Sequence, residues 1–154
     1  MKTLLLTTFI LFSLNASARV EVLFHPHDPT LEKIASWISE ATGSIDIAMY
    51  SMDTSERSPV VRMLQSPEVQ SRLQSGSLKI RLIFEGYGTT AENAQKMEAL
   101  EALGIDVRYL GKSVKVHHKF AIIDPTSSVS RLITGSANWS MNSYRNYNEN
   151  ILFL

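Results

Sequence analysis

The sequence predicts an α/β fold, an α-β-α sandwich of helices around a mixed, largely parallel sheet. Three observations predict it. Short apolar strand-like runs alternate with segments of helical periodicity over the first two thirds of the chain, the pattern of a parallel α/β sheet. The last strand-like runs follow one another without helices between them, which requires antiparallel pairs as well. The 154 residues suffice for one domain and are too few for two well-packed ones, and 44% apolar with 19% charged residues is a globular balance.

Each element carries its own signal. Val20–Phe24 reads as the first strand. Asp28-Pro29 starts a helix, with Asp as N-cap and Pro at the first helical position; Leu31, Ile34, Ile38 and Ala41 share its apolar face, and Gly43 closes it. Ile45–Tyr50 is the second strand. Ser58-Pro59 opens a helix and Ser66-Pro67 restarts it before Gly76, because Pro inside a helix breaks it. Leu78–Phe84 is the third strand. Thr89 and Glu92 form a capping box for a helix whose Ala94, Met97 and Leu100 share a face, and Gly104 ends it. Asp106–Leu110, Val114–Asp124, Arg131–Thr134 and Glu149–Leu154 complete the strands, the middle two joined by a loop holding Pro-Thr-Ser-Ser.

Residues 1–18 stand apart from this pattern. Lys2 is followed by an apolar run from Leu4 to Leu14, then Asn15-Ala16-Ser17-Ala18 with small residues at the −3 and −1 positions of a cut after Ala18. This is the shape of a secretory signal peptide, and the run is about half of the ~20 residues a membrane-spanning helix needs. A secreted or periplasmic domain over residues 19–154 is expected. The absence of Cys suits an oxidising compartment and removes disulfides, thiol catalysis and Cys-based zinc sites.

Fifteen basic residues balance fifteen acidic ones, so the whole molecule has no strong field for polyanions. The charge is uneven, however: 8 basic against 12 acidic residues over 19–104, and 6 against 3 over 105–154. The C-terminal part is the natural home of an anionic substrate.

The chemistry concentrates in Val116-His117-His118-Lys119-Phe120-Ala121-Ile122-Ile123-Asp124. Alternation on a strand puts His117 and Lys119 on one face, and Val116, His118, Phe120 and Ile122 on the other, which reads as the buried face. An imidazole beside an ammonium suits attack on a bound phosphate. Downstream, Thr134-Gly135-Ser136-Ala137-Asn138 ends a strand in a tight turn whose Ser hydroxyl and Asn amide can donate to phosphate oxygens. Glu149 opens the last strand, where a carboxylate can accept the Nδ1 proton of a His and leave Nε2 free to attack.

His117-x-Lys119, then Asp124, then Gly135-Ser136-x-Asn138 and a Glu resembles the phospholipase D superfamily, and in particular its small, exported, single-motif bacterial endonucleases of the Nuc type. The likeness runs from Val20 onward and includes Ile47-Ala48-Met49-Tyr50-Ser51 at the end of the second strand. The resemblance implies a phospholipase D-like sandwich and a metal-independent, cofactor-free phosphodiesterase. It implies that His117 forms a covalent phosphohistidine, that Lys119, Asn138 and Ser136 bind the non-bridging oxygens, and that Glu149 orients His117. Asp124 completes the catalytic motif in a role more structural than chemical. One motif per chain, where the family's site uses two, implies a homodimer with both His117 side chains at the two-fold axis, one attacking and one protonating the leaving oxygen. A bell-shaped pH–rate profile around pH 6 to 7, where imidazole ordinarily titrates, follows from that division. The expected substrate is DNA or RNA; phospholipid is the second choice, and a catalytically idle nucleic-acid-binding domain the third. Similar proteins continue into a C-terminal helix over one sheet face, whereas this chain is expected to leave that face bare after Ile151-Leu152-Phe153-Leu154.

Other candidates have plainer readings. His25-Pro26-His27 spaces two imidazoles as in a metal site but reads as a loop; Tyr87, in the Glu85-Gly86-Tyr87-Gly88 turn, and Trp139 and Tyr144 are placed to stack on bases, with core packing the competing role for Trp139. Trp37 reads as core.

Overall fold

The computed structural model describes residues 19–85, 91–109 and 115–154. The leader expected over 1–18, the Tyr87 turn, the Thr89 cap and the start of the strand expected from Val114 lie outside the described residues. The elements are β1 (Glu21–His25), α1 (Thr30–Glu40), β2 (Ser44–Met49), α2 (Pro59–Leu64), α3 (Pro67–Gln74), β3 (Lys79–Phe84), α4 (Ala91–Glu101), β4 (Asp106–Tyr109), β5 (Lys119–Ile123), β6 (Arg131–Gly135), α5 (Met141–Asn146) and β7 (Glu149–Phe153). Every expected element is represented in the described residues. The strand expected from Val114 begins only at Lys119, so residues 115–118, His117 among them, are irregular and precede β5. Helix α5 is an addition. Its N-cap Ser140 accepts a hydrogen bond from the Ser143 N–H, a Ser-x-x-Ser signal too short in reach to announce a helix of six residues.

One helix start differs from expectation. The Asp28 carboxylate accepts from the Phe24 N–H instead of capping α1, which begins one residue after Pro29. Ser66, by contrast, caps α3 as expected, accepting from the Val69 N–H.

The seven strands form one sheet in the order β1-β7-β6-β5-β2-β3-β4. It is mixed, as expected. Strands β1, β2, β3, β4 and β6 run one way, and β5 and β7 run against them. Because the two opposed strands are interleaved, four of the six neighbouring pairs are antiparallel, and parallel pairing is confined to β2-β3-β4 where helices make the crossovers.

One face of the sheet carries the core. Ile45, Ile47 and Met49 of β2, Ile80, Leu82 and Phe84 of β3, Ala121 and Ile123 of β5, and Ile151 and Phe153 of β7 are buried with Leu31, Ile34 and Ile38 of α1 and Val60 and Leu64 of α2. The opposite face has no helix against it among the described residues. There Phe24 is 52% and Ile83 45% exposed, and Phe120 and Ile122 are only half-buried. The expected burial of β5 is thereby reversed: Lys119, Ala121 and Ile123 point into the covered side. Hydrophobicity marks both rows of β5 as apolar and cannot say which row the helices take. Ile151 and Phe153 do have cover; Phe153 stacks edge-on against Trp37 of α1 at 5.0 Å between ring centres.

Candidate active site

The strand directions decide where the chemistry gathers. The C-terminal ends of β1, β2, β3 and β6 and the starting ends of β5 and β7 all meet at one edge of the sheet. That edge collects His25, Tyr50, Glu85, His117, Lys119, Ser136, Asn138 and Glu149 from six separate stretches of chain.

His117 and Lys119 are together, as the motif predicts. Lys119 Nζ stands 3.1 Å from His117 Nδ1 and 3.2 Å from Nε2, and donates to the His117 carbonyl at 3.0 Å. His117 is exposed while Lys119 is 9% exposed. Burial pushes the Lys119 ammonium below its ordinary range, against the opposing pull of Glu149. Behind the imidazole lies the Tyr50 ring at 4.6 Å between centres, and Lys119 Nζ sits 5.2 Å from the centre of that ring. The Tyr50 N–H bonds the His118 carbonyl at 2.8 Å, so β2 fixes the segment before β5. From the other side, the buried Glu85 carboxylate accepts the N–H of Val116, one residue before His117. Sequence reasoning missed both Tyr50 and Glu85 as site residues: each follows its strand directly, and only the sheet order places them beside His117.

Gly135 shows why the downstream turn needs glycine. Its φ is +151°, and a Cβ there would overlap the Asn150 carbonyl. The turn closes on Asn150, whose carbonyl accepts from the Ser136 N–H at 3.0 Å and whose N–H donates to Ser136 Oγ at 3.1 Å. Ser136 thus keeps its own O–H to donate elsewhere. The Asn138 Oδ1 is buried and has no partner among the described residues. Trp139 is 1% exposed and belongs to the core, so the packing role is the one it has.

Glu149 departs from expectation in the imidazole it faces, whereas Asp124 has the structural surroundings expected of it. Glu149 makes no hydrogen bond to His117 among the described residues; its charge acts on Lys119 and on His25, its partner in the β1–β7 register. Placing Glu149 at the start of a strand is correct, but which imidazole it faces depends on a strand neighbour that spacing does not reveal. Asp124, placed with the catalytic motif, lies at the far end of β5, roughly 16 Å of extended chain from Lys119. Its carboxylate accepts from the Thr42 N–H at 2.7 Å, the Thr42 hydroxyl at 2.9 Å, the Gly43 N–H at 2.7 Å and the Ser44 N–H at 3.0 Å. Desolvation works to raise its carboxyl, but these bonds together hold it below the usual range. Asp124 ties the α1–β2 turn to β5.

His25 is the second imidazole of this edge and is 1% exposed. Its Nε2 bonds the Thr30 hydroxyl and its Nδ1 lies 3.4 Å from the Ser143 hydroxyl; Tyr144 packs edge-on against it at 5.3 Å. Burial lowers its pKa, outweighing Ser143 and Glu149. Both ring nitrogens are engaged, so His25 and the exposed His27 do not form a ligand pair. Tyr144 is committed to this packing. Among the described residues no cluster of three or more His, Asp or Glu is arranged to hold a metal ion. A cleft of about 370 Å³ opens beside Glu149, lined by Phe24, His25, His27, Asn148 and Asn150.

An imidazole backed by an ammonium, faced by an open Ser-Asn turn and flanked by a carboxylate, on this sheet, defines the phospholipase D-like class of α/β proteins. The chain belongs to that family: the family described as "Cardiolipin synthase, PLD-like domain" matches residues 34–154. Among curated proteins it is 27% identical over 128 residues to the mitochondrial cardiolipin hydrolase of Homo sapiens, covering 82% of this chain and 45% of that one. It is 28% identical over 131 residues to the protein of that name in Chlamydomonas reinhardtii, covering 84% and 52%. The chain spans about half the length of these relatives. Among solved structures, Nuc from Salmonella typhimurium, a phospholipase D family member, superposes with a TM-score of 0.64 at 20% identity over 88% of this chain and 81% of that one. NucT from Helicobacter pylori gives 0.58 at 26% identity over 88% and 85%. The expected fold is confirmed.

Proposed function

We propose that this protein is a metal-independent phosphodiesterase, an exported endonuclease that cleaves DNA or RNA through a phosphohistidine on His117. The observation that carries the reading is the exposed His117 imidazole held by a buried Lys119 ammonium at 3.1 Å, at the edge where the Ser136–Asn138 turn also lies. In the reaction, a ring nitrogen of His117 attacks phosphorus and the bond to the leaving oxygen breaks. A second imidazole, supplied by His117 of a partner copy across a two-fold axis, gives that oxygen its proton. Water then attacks the phosphohistidine, the P–N bond breaks, and the phosphomonoester leaves with His117 restored. Lys119, Asn138 and Ser136 neutralise the non-bridging oxygens as charge builds on them. The likeness to Nuc and NucT in size and fold supports a nucleic-acid substrate.

A second reading, hydrolysis of a phospholipid by the same chemistry, is favoured by the names of the curated relatives, which are cardiolipin hydrolases. Nicking of supercoiled plasmid in excess EDTA, beside His117→Ala, tests the first reading. Cleavage by the wild type alone is the expected result. A folded, dimeric sample that leaves the plasmid intact transfers the assignment to phospholipid.

A further inference from the structure

The cleft of about 370 Å³ beside Glu149 takes no part in the phosphate chemistry proposed above. It is nevertheless joined to the catalytic edge through two of its own lining residues. Glu149 acts on Lys119 through its charge, and the Asn150 backbone holds the Ser136 turn with bonds of 3.0 and 3.1 Å. Phe24 and Asn150 are partners in the β1–β7 register, so their side chains share one face of the sheet, and Asn148 lies two positions before Asn150. The Phe24 ring is 52% exposed. The side-chain amides of Asn148 and Asn150 and the exposed His27 ring make no hydrogen bond among the described residues. Their frame, by contrast, is fixed. The Phe24 carbonyl accepts from the N–H groups of His27 at 3.0 Å and Asp28 at 2.8 Å, and the Phe24 N–H donates to the Asp28 carboxylate at 2.8 Å. The turn carrying His27 is thereby pinned to the strand carrying Phe24, and the cleft wall is formed before a ligand arrives. An open aromatic ring beside amides that can both donate and accept matches a nucleobase, which has a flat face and a hydrogen-bonding edge. A lipid chain would cover the ring and leave the amides unpaired. The two aromatic residues near the catalytic turn are not available for this role: Trp139 is buried and Tyr144 packs on His25.

We propose that this cleft is a nucleobase subsite, in which Phe24 stacks on one base of the bound strand while Asn148 and Asn150 hydrogen-bond its edge. This rests on the nucleic-acid reading above and gives that substrate a contact the phosphate chemistry does not supply. None of the three residues touches the reacting atoms.

The test compares an oligothymidylate with a strand of the same length and backbone whose sugars carry no bases, using wild type, Phe24→Ala, Phe24→Leu and Phe24→Tyr. The readout is the ratio of kcat/KM for the base-bearing over the abasic strand. Phe24→Ala is expected to lower that ratio about tenfold, the size of one base–aromatic stacking contact. Phe24→Leu, which keeps apolar bulk without a flat face, should lower it to a similar extent, and Phe24→Tyr should hold it within about twofold of wild type. Asn148→Ala combined with Asn150→Ala should lower it about threefold, through the lost edge contacts. A ratio in Phe24→Ala and Phe24→Leu within twofold of wild type, on enzymes that cleave both strands, overturns this inference and leaves the phosphodiesterase reading standing. So does a loss that falls equally on both strands, which makes Phe24 a structural residue, or a wild type that does not distinguish them. A wild type that hydrolyses cardiolipin micelles and neither strand overturns the inference and the nucleic-acid reading together.

Discussion

At one end of β5 the Asp124 carboxylate accepts four hydrogen bonds from Thr42, Gly43 and Ser44; at the other, the Lys119 ammonium is buried against an imidazole, and the Asn138 amide oxygen nearby has no partner. A single stretch of nine residues thus joins a saturated site to an unsaturated one. The Asp124 end is a structural clamp whose groups meet all their needs within the chain. The His117 end buries a cation and leaves the Asn138 amide oxygen without a partner among the described residues, and it is the end to which the proposed function assigns the substrate. Short motifs are commonly read as one functional unit, and here the halves of the motif answer to different demands.

Replacing His117 separates the ends most sharply. His117→Ala should lower kcat/KM for plasmid nicking by at least about 10³-fold while the melting temperature stays within about 2 °C of wild type, because an exposed ring is removed. Asp124→Ala should do the reverse. It leaves three backbone N–H groups and a hydroxyl without their acceptor and costs about 3 kcal/mol, a fall in Tm of roughly 6–12 °C. The sign of its pH dependence follows from the depressed carboxyl. The stability it contributes is fully present above the unfolded carboxyl pKa of about 4 and is lost as pH falls through the lower folded value. Wild type therefore loses Tm on acidification through that window, and Asp124→Ala lacks this share of the loss.

Lys119→Met sharpens the contrast further. Activity should fall about 10²-fold, yet Tm should not drop below wild type at pH 7, since the fold disfavours the charged amine and an apolar chain of similar length fits the site. That advantage shrinks as pH rises from the lowered folded value toward about 10 and is gone once the unfolded amine has also lost its proton. Ser136→Ala should have the smallest effect and the only mixed one. The loss is about tenfold in kcat/KM, together with about 1 kcal/mol from the unpaired Asn150 N–H, read in parallel by nicking and by thermal melting.

The difference between the two ends also explains what could be read without coordinates. Strands, the helix starts at Ser58-Pro59 and Ser66-Pro67 and the pairing of His117 with Lys119 depend on neighbours within a few residues, and these are borne out. The roles of Tyr50, Glu85 and His25 depend on sheet order, which sets strands far apart in sequence side by side. The covered side of β5 was misassigned for a related reason. Phe120 and Ile122 are more apolar than Lys119, but the helices pack on the side where Lys119 lies, so the ammonium is buried by a layer that no local pattern specifies.

The ladder between β1 and β7 sets Glu21 opposite Phe153 and His25 opposite Glu149. Pairings between such distant segments carry the largest loop-closure cost, whereas the β2-β3-β4 unit can assemble from residues much nearer one another. During synthesis, then, the half of the molecule that holds the clamp can form while Glu149 and the strand behind the Ser136 turn have yet to leave the ribosome. An edge that draws on β7 in this way is incomplete until that strand docks.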